Sequence, residues 1–160
     1  MTLPLPSANL HVVLYEPEIP ANTGNIGRLC VGSGAILHII QPCRFLLTDK
    51  ALKRAGLDYW EHLDLKLHKD WEEIPRLCPP DRIWLCTTKS SRSYLEPRYQ
   101  PGDFLVFGPE SRGLPQTLLD AHPSQTLTIP MSPNLRSLNL SNAVAIVLFE
   151  ALRQTIGSRG

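Results

Sequence analysis

Glu110 and Arg112 stand two residues apart between glycines in Phe107–Pro115 (FGPESRGLP). Ser137, Asn139, Ser141 and Asn142 crowd the entry to a long apolar run within Ile129–Gln154. A third polar stretch, Asn22–Cys30 (NTGNIGRLC), sets Asn22 six residues before Arg28, nearly two turns of a helix. Gly108 permits close backbone approach directly after an apolar strand, and Gly113 permits a positive φ. Polar loops of this kind at the carboxyl ends of parallel strands build small-molecule pockets. Taken alone, Phe107–Pro115 also fits a surface turn with a Glu110–Arg112 pair. Helix capping accounts for Ser141 or Asn142. It does not account for four such side chains together, because unpaired polar groups at the mouth of a buried helix are costly.

The 160 residues are 42% apolar and 19% charged, with net charge +1 and a pI near 7.7. That is an ordinary water-soluble composition, large enough for a core without staples. It is not the basic signature of a nucleic-acid-binding domain. The distribution says more. Eleven of the sixteen basic residues are arginines, and Arg28, Arg92, Arg98, Arg112 and Arg136 fall in loops or at helix starts. Arginine is the side chain that clamps phosphate in a fixed fork. The four cysteines, Cys30, Cys43, Cys78 and Cys86, form no CxxC, and Cys30, Cys78 and Cys86, in or beside apolar runs, read as buried thiols of a reducing compartment. No leader pattern opens the sequence, and the run Ala143–Phe149 is too short to span a bilayer, so a cytoplasmic location is expected.

These segments need a scaffold, and the pattern supplies one. Leu10–Tyr15, Ala35–Ile40, Arg82–Thr87 and Phe104–Phe107 are short apolar runs of buried-strand type; Leu63–Leu67 and Thr126–Ile129 are two further strands. Between them, helices are expected from a cap at Asn22 or Thr23 to Val31, over Lys50–Ala55, Asp70–Leu77 and Pro115–Ala121, and over Leu138–Gln154. Alternation of this kind, with strands apolar on both faces, means a parallel α/β sheet. The last helix is apolar at Leu138, Leu140, Ala143, Val144, Ile146, Val147, Leu148, Ala151 and Leu152. A helix apolar nearly all round is buried on several sides, which points to a subunit interface.

In order and wording the three polar segments resemble the signature segments of the trefoil-knotted, or SPOUT, class of RNA 2'-O-ribose methyltransferases. The likeness runs from LHVVLYEPEIPANTGNIGRLC through KALKRAGLDYW to the last helix, and RAGLDYW (Arg54–Trp60) is similar to the members that modify tRNA wobble nucleotide 34. The resemblance implies one domain over 1–160, a mostly parallel sheet flanked by helices with a C-terminal deep trefoil knot, and no separate RNA-binding domain. Residues 1–8 and 157–160 are expected as flexible ends. It implies S-adenosylmethionine as methyl donor, S-adenosylhomocysteine as product, and no metal. The cofactor would be held by Cys86, Thr87, Gly108, Glu110, Gly113, Ile129, Met131, Ser137, Leu138, Ser141 and Asn142, with the adenine among backbone groups. Arg28 takes the central catalytic role, with Asn22, Glu110, Ser137 and Asn139 around it, and Arg28, Arg112 and Arg136 touch RNA. The implied partners are a tRNA anticodon stem-loop, with cytidine or a 5-substituted uridine at position 34 of leucine tRNAs, and a second copy of the chain, with the active site at or near the dimer interface.

Other readings are weaker or coarser. A dinucleotide-binding Rossmann domain needs G-x-G-x-x-G after the first strand, and EPEIPANTGNIG lacks it. A Ser–His–Asp hydrolase lacks the G-x-S-x-G elbow. His11, His38, His62, His68 and His122 show no metal-ligand spacing and form no competing site. The same chemistry on ribosomal RNA or another tRNA site remains open, as does a catalytically silent RNA-binding dimer; intact Arg28, Glu110 and Asn139 argue against silence.

Overall fold

The computed structural model describes Leu5, residues 8–43 and residues 58–157. Six strands form one parallel sheet: β1 (His11–Tyr15), β2 (Ile36–Ile40), β3 (Leu65–His68), β4 (Ile83–Cys86), β5 (Phe104–Phe107) and β6 (Thr126–Leu127). Their order is β3-β2-β1-β5-β4-β6. A Rossmann sheet would run 3-2-1-4-5-6; here β5 pairs with β1 and β4 lies outside it. The carboxyl ends of β4, β5 and β6 therefore share one corner of the sheet, beside the start of the first helix.

Strand alternation divides the core in two. Val12, Leu14, Leu37, Ile39, Leu105, Phe107 and Leu127 face one side. There they meet Ile26 and Cys30 of α1 (Pro20–Ser33) and Val144, Val147, Leu148, Ala151 and Leu152 of α3 (Leu140–Gly157). Val13, Ile40, Ile83, Leu85, Phe104 and Val106 face the other, against Ile74, Leu114, and Leu118 and Leu119 of α2 (Gln116–Ala121). Val144 and Leu148 are thus core residues of the protomer itself. On α3 it is Phe149 that remains half exposed, with Ile146 partly so.

Several expected boundaries move, each for a local reason. Helix α1 begins at Pro20, which suits the first helical position, so Asn22 and Thr23 lie inside the first turn rather than capping it. It runs through Gly32 to Ser33 and ends at Gly34, whose φ of 76° closes it. Asp70–Leu77 is no helix. Pro75 offers no N–H toward Trp71, so Ile74 N closes a 3₁₀ bond to Trp71 O (2.9 Å), and Asp70 caps the short Trp71–Glu73 turn. β3 is shifted to Leu65–His68, and β6 stops at Leu127, with Thr128 making only an isolated bridge to Ser93. The expected helix at Lys50–Ala55 lies outside the described residues. Two expected end residues are ordered into the fold: Ala8 is buried and accepts from Gly102 N, and Gly157 closes α3. Among the described residues no helix is long and apolar enough to cross a membrane.

The histidines show an arrangement that linear spacing does not reveal. His11, His38 and His68, on three neighbouring strands, form a chain: His11 Nδ1 to His38 Nε2 at 2.8 Å, His38 Nδ1 to His68 Nε2 at 2.7 Å, and His68 Nδ1 to Glu73 Oε1 at 3.2 Å. Phe104 lies against the first two rings. Strand pairing, invisible to linear spacing, brings them together. The nitrogens bond to one another instead of converging on a point, and among the described residues no group of His, Cys, Asp or Glu could hold a metal. An ionised Glu73 can only accept, so His68 Nδ1 donates to it; with all three rings neutral, each then donates from Nδ1 and, where it is met from the other side, accepts at Nε2. The Lys69 amide (2.6 Å), and after it His68, holds the Glu73 carboxyl below its usual range.

This chain makes stability depend on pH. Burial first, then His11, His68 and Lys66, pushes the His38 imidazole down to about 3. Burial also lowers His11, partly offset by Asp64. In the unfolded chain both titrate near 6.5. As pH falls below 6.5 the unfolded chain takes up protons that the folded one refuses, so stability drops. The His38 share is about 1.4 kcal/mol per pH unit, fully recovered above 6.5. Urea unfolding should lose about 2 kcal/mol to His38 alone between pH 7.5 and pH 5, above the range where most carboxylates titrate. His38→Phe should flatten that slope whatever it does to absolute stability, and an unchanged slope would contradict the assignment.

Candidate active site

Helix α1 starts without a side-chain cap of its own. Its N-terminal charge is met by a carboxylate from far along the chain. Glu110 Oε1 accepts from Glu18 N (2.9 Å), and Oε2 accepts from Ile19 N (2.8 Å) and from Asn22 Nδ2 (3.2 Å). An anion is favoured at a helix N-terminus, and hydrogen bonds to charged groups are the stronger ones. Asn22 passes the connection on: its Oδ1 accepts from Asn139 Nδ2 at 3.1 Å. Asn139 Oδ1 in turn caps α3, accepting from Ser141 N (2.9 Å), Ser141 Oγ (2.5 Å) and Asn142 N (3.3 Å). One run of side chains, Glu110–Asn22–Asn139, thereby ties all three polar segments together and fixes the starts of two helices.

The β1–α1 loop returns the grip. Glu18 Oε1 accepts from Ser111 N (2.8 Å) and Ser111 Oγ (2.7 Å), and Glu16, held at φ 47°, pairs with Arg112 at 3.3 Å. The Glu110–Arg112 surface pair is therefore not formed; each partner reaches across to the other loop. Gly108 is required by packing: a Cβ there would lie 2.4 Å from Gly113 C and Leu114 N. Gly113 takes φ 70° and donates to Pro109 O at 3.0 Å, folding the loop back on itself.

Between these loops lies a cavity of about 570 Å³. Of the expected cofactor residues it is lined by Cys86, Thr87, Gly108, Glu110 and Gly113 from the ends of β4 and β5, and by Ile129, Met131, Ser137 and Leu138 beyond β6. Ser141 and Asn142 do not line it; they serve the α3 cap. Asn22, Asn139, Arg112 and Arg136 line it as well. Arg28 does not. It is exposed on α1, its Cζ 5.8 Å from the centre of the Tyr59 ring.

Residues that sequence reasoning passed over include Glu18, Ser111 and Lys89, the last a wall cation whose Nζ bonds Gln116 Oε1 at 3.2 Å. The repeated acid in EPE was a signal for Glu18; Lys89 had none beyond its charge. Among the described residues the cavity wall has no histidine, and Glu110 is its one carboxylate. Burial pushes the Cys86 thiol up and raises Cys30 to about 12, so neither offers a thiolate at neutral pH. The size suits a nucleoside-sized ligand. Bare backbone at Gly108 and Gly113, with apolar walls from Ile129, Met131 and Leu138, suits a flat base held by main-chain groups.

Known proteins resemble this chain over most of its length. Residues 9–149 match the SpoU rRNA Methylase family. The tRNA (cytidine(34)-2'-O)-methyltransferase of Escherichia coli (strain K12) is 52% identical over 146 residues, 91% of this chain and 93% of its own. A solved structure concerned with 2-OH methylation of C/U34 on tRNA is 47% identical, covers 92% of this chain and 97% of its own, and superposes with a TM-score of 0.85. AviRb from Streptomyces viridochromogenes, solved in complex with AdoMet, is 23% identical with a TM-score of 0.77, covering 96% of this chain and 63% of its own; at that distance it speaks for the fold.

Gly108→Ala should destabilise the protein by at least about 2 kcal/mol, because the atoms its methyl meets are backbone and cannot swing aside. Urea unfolding of the variant reads this, and an unshifted midpoint would contradict the packing described.

Proposed function

Since the chain belongs to the SpoU rRNA Methylase family, by a match over residues 9–149, we propose the following reading of its site. The protein is an S-adenosylmethionine-dependent 2'-O-ribose methyltransferase that acts on the wobble nucleotide, cytidine or uridine 34, of tRNA. The observation that carries this is the joining of Asn22, Glu110 and Asn139 around one cavity, in a chain 52% identical to an enzyme of that activity. The narrower assignment to leucine tRNAs rests on the sequence resemblance.

Cys86, Thr87, Gly108, Gly113, Ile129, Met131 and Leu138 would hold the cofactor, mainly through backbone groups and apolar contact. Bound there, S-adenosylmethionine supplies an electrophilic methyl group on a sulfonium. The chain's own contribution is chiefly placement. Glu110 has three of about four acceptor positions taken, so its role is to hold the start of α1 and Asn22 in place. With no histidine on the wall, bringing the ribose hydroxyl in line supplies more than general-base catalysis. Arg112, Arg136 and Ser137 stand at the cavity for the ribose and its phosphates. A guanidinium is a poor base, so Arg28 serves as phosphate clamp and hydroxyl orienter.

Arg28 stands outside the cavity of its own protomer, and Phe149 leaves an apolar side of α3 uncovered. Both fit a homodimer in which Arg28 acts at the cavity of the second copy. Sedimentation equilibrium should return the dimer mass; a fully active monomer at micromolar concentration would refute this arrangement.

Incubation with labelled S-adenosylmethionine and total tRNA, followed by nucleoside mapping, should place the label on the ribose of nucleotide 34, in leucine acceptors if the narrower assignment holds. Label on ribosomal RNA, on a base, or nowhere despite bound cofactor would overturn the reading. Arg28→Ala should lower single-turnover transfer by at least about 100-fold and leave cofactor affinity within a few fold. Near-normal transfer would remove Arg28 from the mechanism.

A further inference from the structure

Helix α1 carries Gly24 and Gly27 in its interior, three apart and both buried. Glycine costs about 1 kcal/mol relative to alanine at such positions. Residues three apart share a helix face, so the pair cuts a notch in α1. The turn Asp58–His62 fills it. Trp60 packs so closely that a Cβ on Gly27 would lie 2.7 Å from its ring, and the Tyr59 hydroxyl donates to Gly24 O. The outcome of this docking is specific. The Tyr59 ring comes to lie beneath the exposed guanidinium of Arg28, 5.8 Å from centroid to Cζ.

We propose that Tyr59 is a positioning residue for Arg28, its ring holding the guanidinium over α1 so that the N–H donors meet a tRNA phosphate already aligned. A cation within about 6 Å of an aromatic face is attracted to it. Contact through the face leaves the in-plane donors of arginine for the bidentate fork that phosphate requires. Among the described residues no carboxylate pairs with Arg28, so the ring, and not an acid that would compete with phosphate, restrains it. The glycine notch and its two aromatic occupants are the means by which the turn reaches that place.

This inference rests on the reading of Arg28 as a tRNA contact, and binding of a C34-containing anticodon stem-loop RNA to the full-length protein tests both separately. Tyr59→Leu should weaken binding about three- to fivefold, the worth of an exposed cation–π contact. Tyr59→Phe, which keeps the ring and loses the bond to Gly24 O while Trp60 still fills the notch, should keep most of the binding. In an Arg28→Ala background Tyr59→Leu should add nothing. Gly27→Ala, which displaces Trp60 and the turn but keeps the tyrosine, should behave like Tyr59→Leu in both backgrounds and stands in for it if that variant does not fold. A penalty from Tyr59→Leu that persists without Arg28, or an equal penalty from Tyr59→Phe, would overturn the proposal in favour of a purely structural or direct RNA-stacking role. No penalty from Tyr59→Leu would overturn it as well. If Arg28→Ala itself leaves RNA binding and methyl transfer intact, the reading of Arg28 fails first, and Tyr59 loses its role with it.

Discussion

A carboxylate from one loop caps a helix that begins about ninety residues earlier, and the remainder of the site depends on that contact. Glu110 satisfies the amides of Glu18 and Ile19 and holds the Asn22 amide, whose oxygen in turn fixes Asn139 at the head of α3. Hydrogen bonds to a charged group are the stronger ones, and of the groups Glu110 holds, Asn22 is itself buried. The three loops around the cavity share these bonds, so none can take its shape alone. The crossed pairs Glu18–Ser111 and Glu16–Arg112 reinforce the same junction from the other side.

The sheet supplies the place for this junction. With β5 inserted between β1 and β4, the ends of β4, β5 and β6 and the start of α1 fall at one corner. The opposite end of the order has a different character. There the His11–His38–His68–Glu73 chain crosses three strands and answers to pH through protons the folded state excludes, while the cavity wall contains no histidine. One sheet thus keeps the histidine chain apart from the cavity.

Much of this could be read from the residues. Buried-strand runs located all six strands to within two residues at each end, because apolar β-branched segments between turn signals have few alternatives. The polar segments disclosed the cavity through the glycines after an apolar strand and through Ser137 and Asn139, which line it; Ser141 and Asn142 serve the cap of α3. What could not be read is what depends on distant pairing. The cap of α1 comes from Glu110, so Asn22 beside the helix start looked like the cap and is instead its relay to Asn139. Strand register created the histidine chain, and Val144 and Leu148, read among an all-round apolar surface, proved to be core against the protomer's own sheet. The Asp70–Leu77 helix failed for a nearer reason: Pro75 was present in the sequence and outweighed the helical pattern.

The central claim is that Asn22 and Asn139 act as one unit in assembling the cavity. Calorimetric titration of S-adenosylmethionine against Asn22→Ala, Asn139→Ala and the double variant measures it directly. Residues in one hydrogen-bonded network couple by about 0.5–3 kcal/mol, so the double variant should lose clearly less affinity than the two single losses added together. Strictly additive losses, or no loss from either substitution, would show that the loops hold the cavity without this connection and would contradict the account.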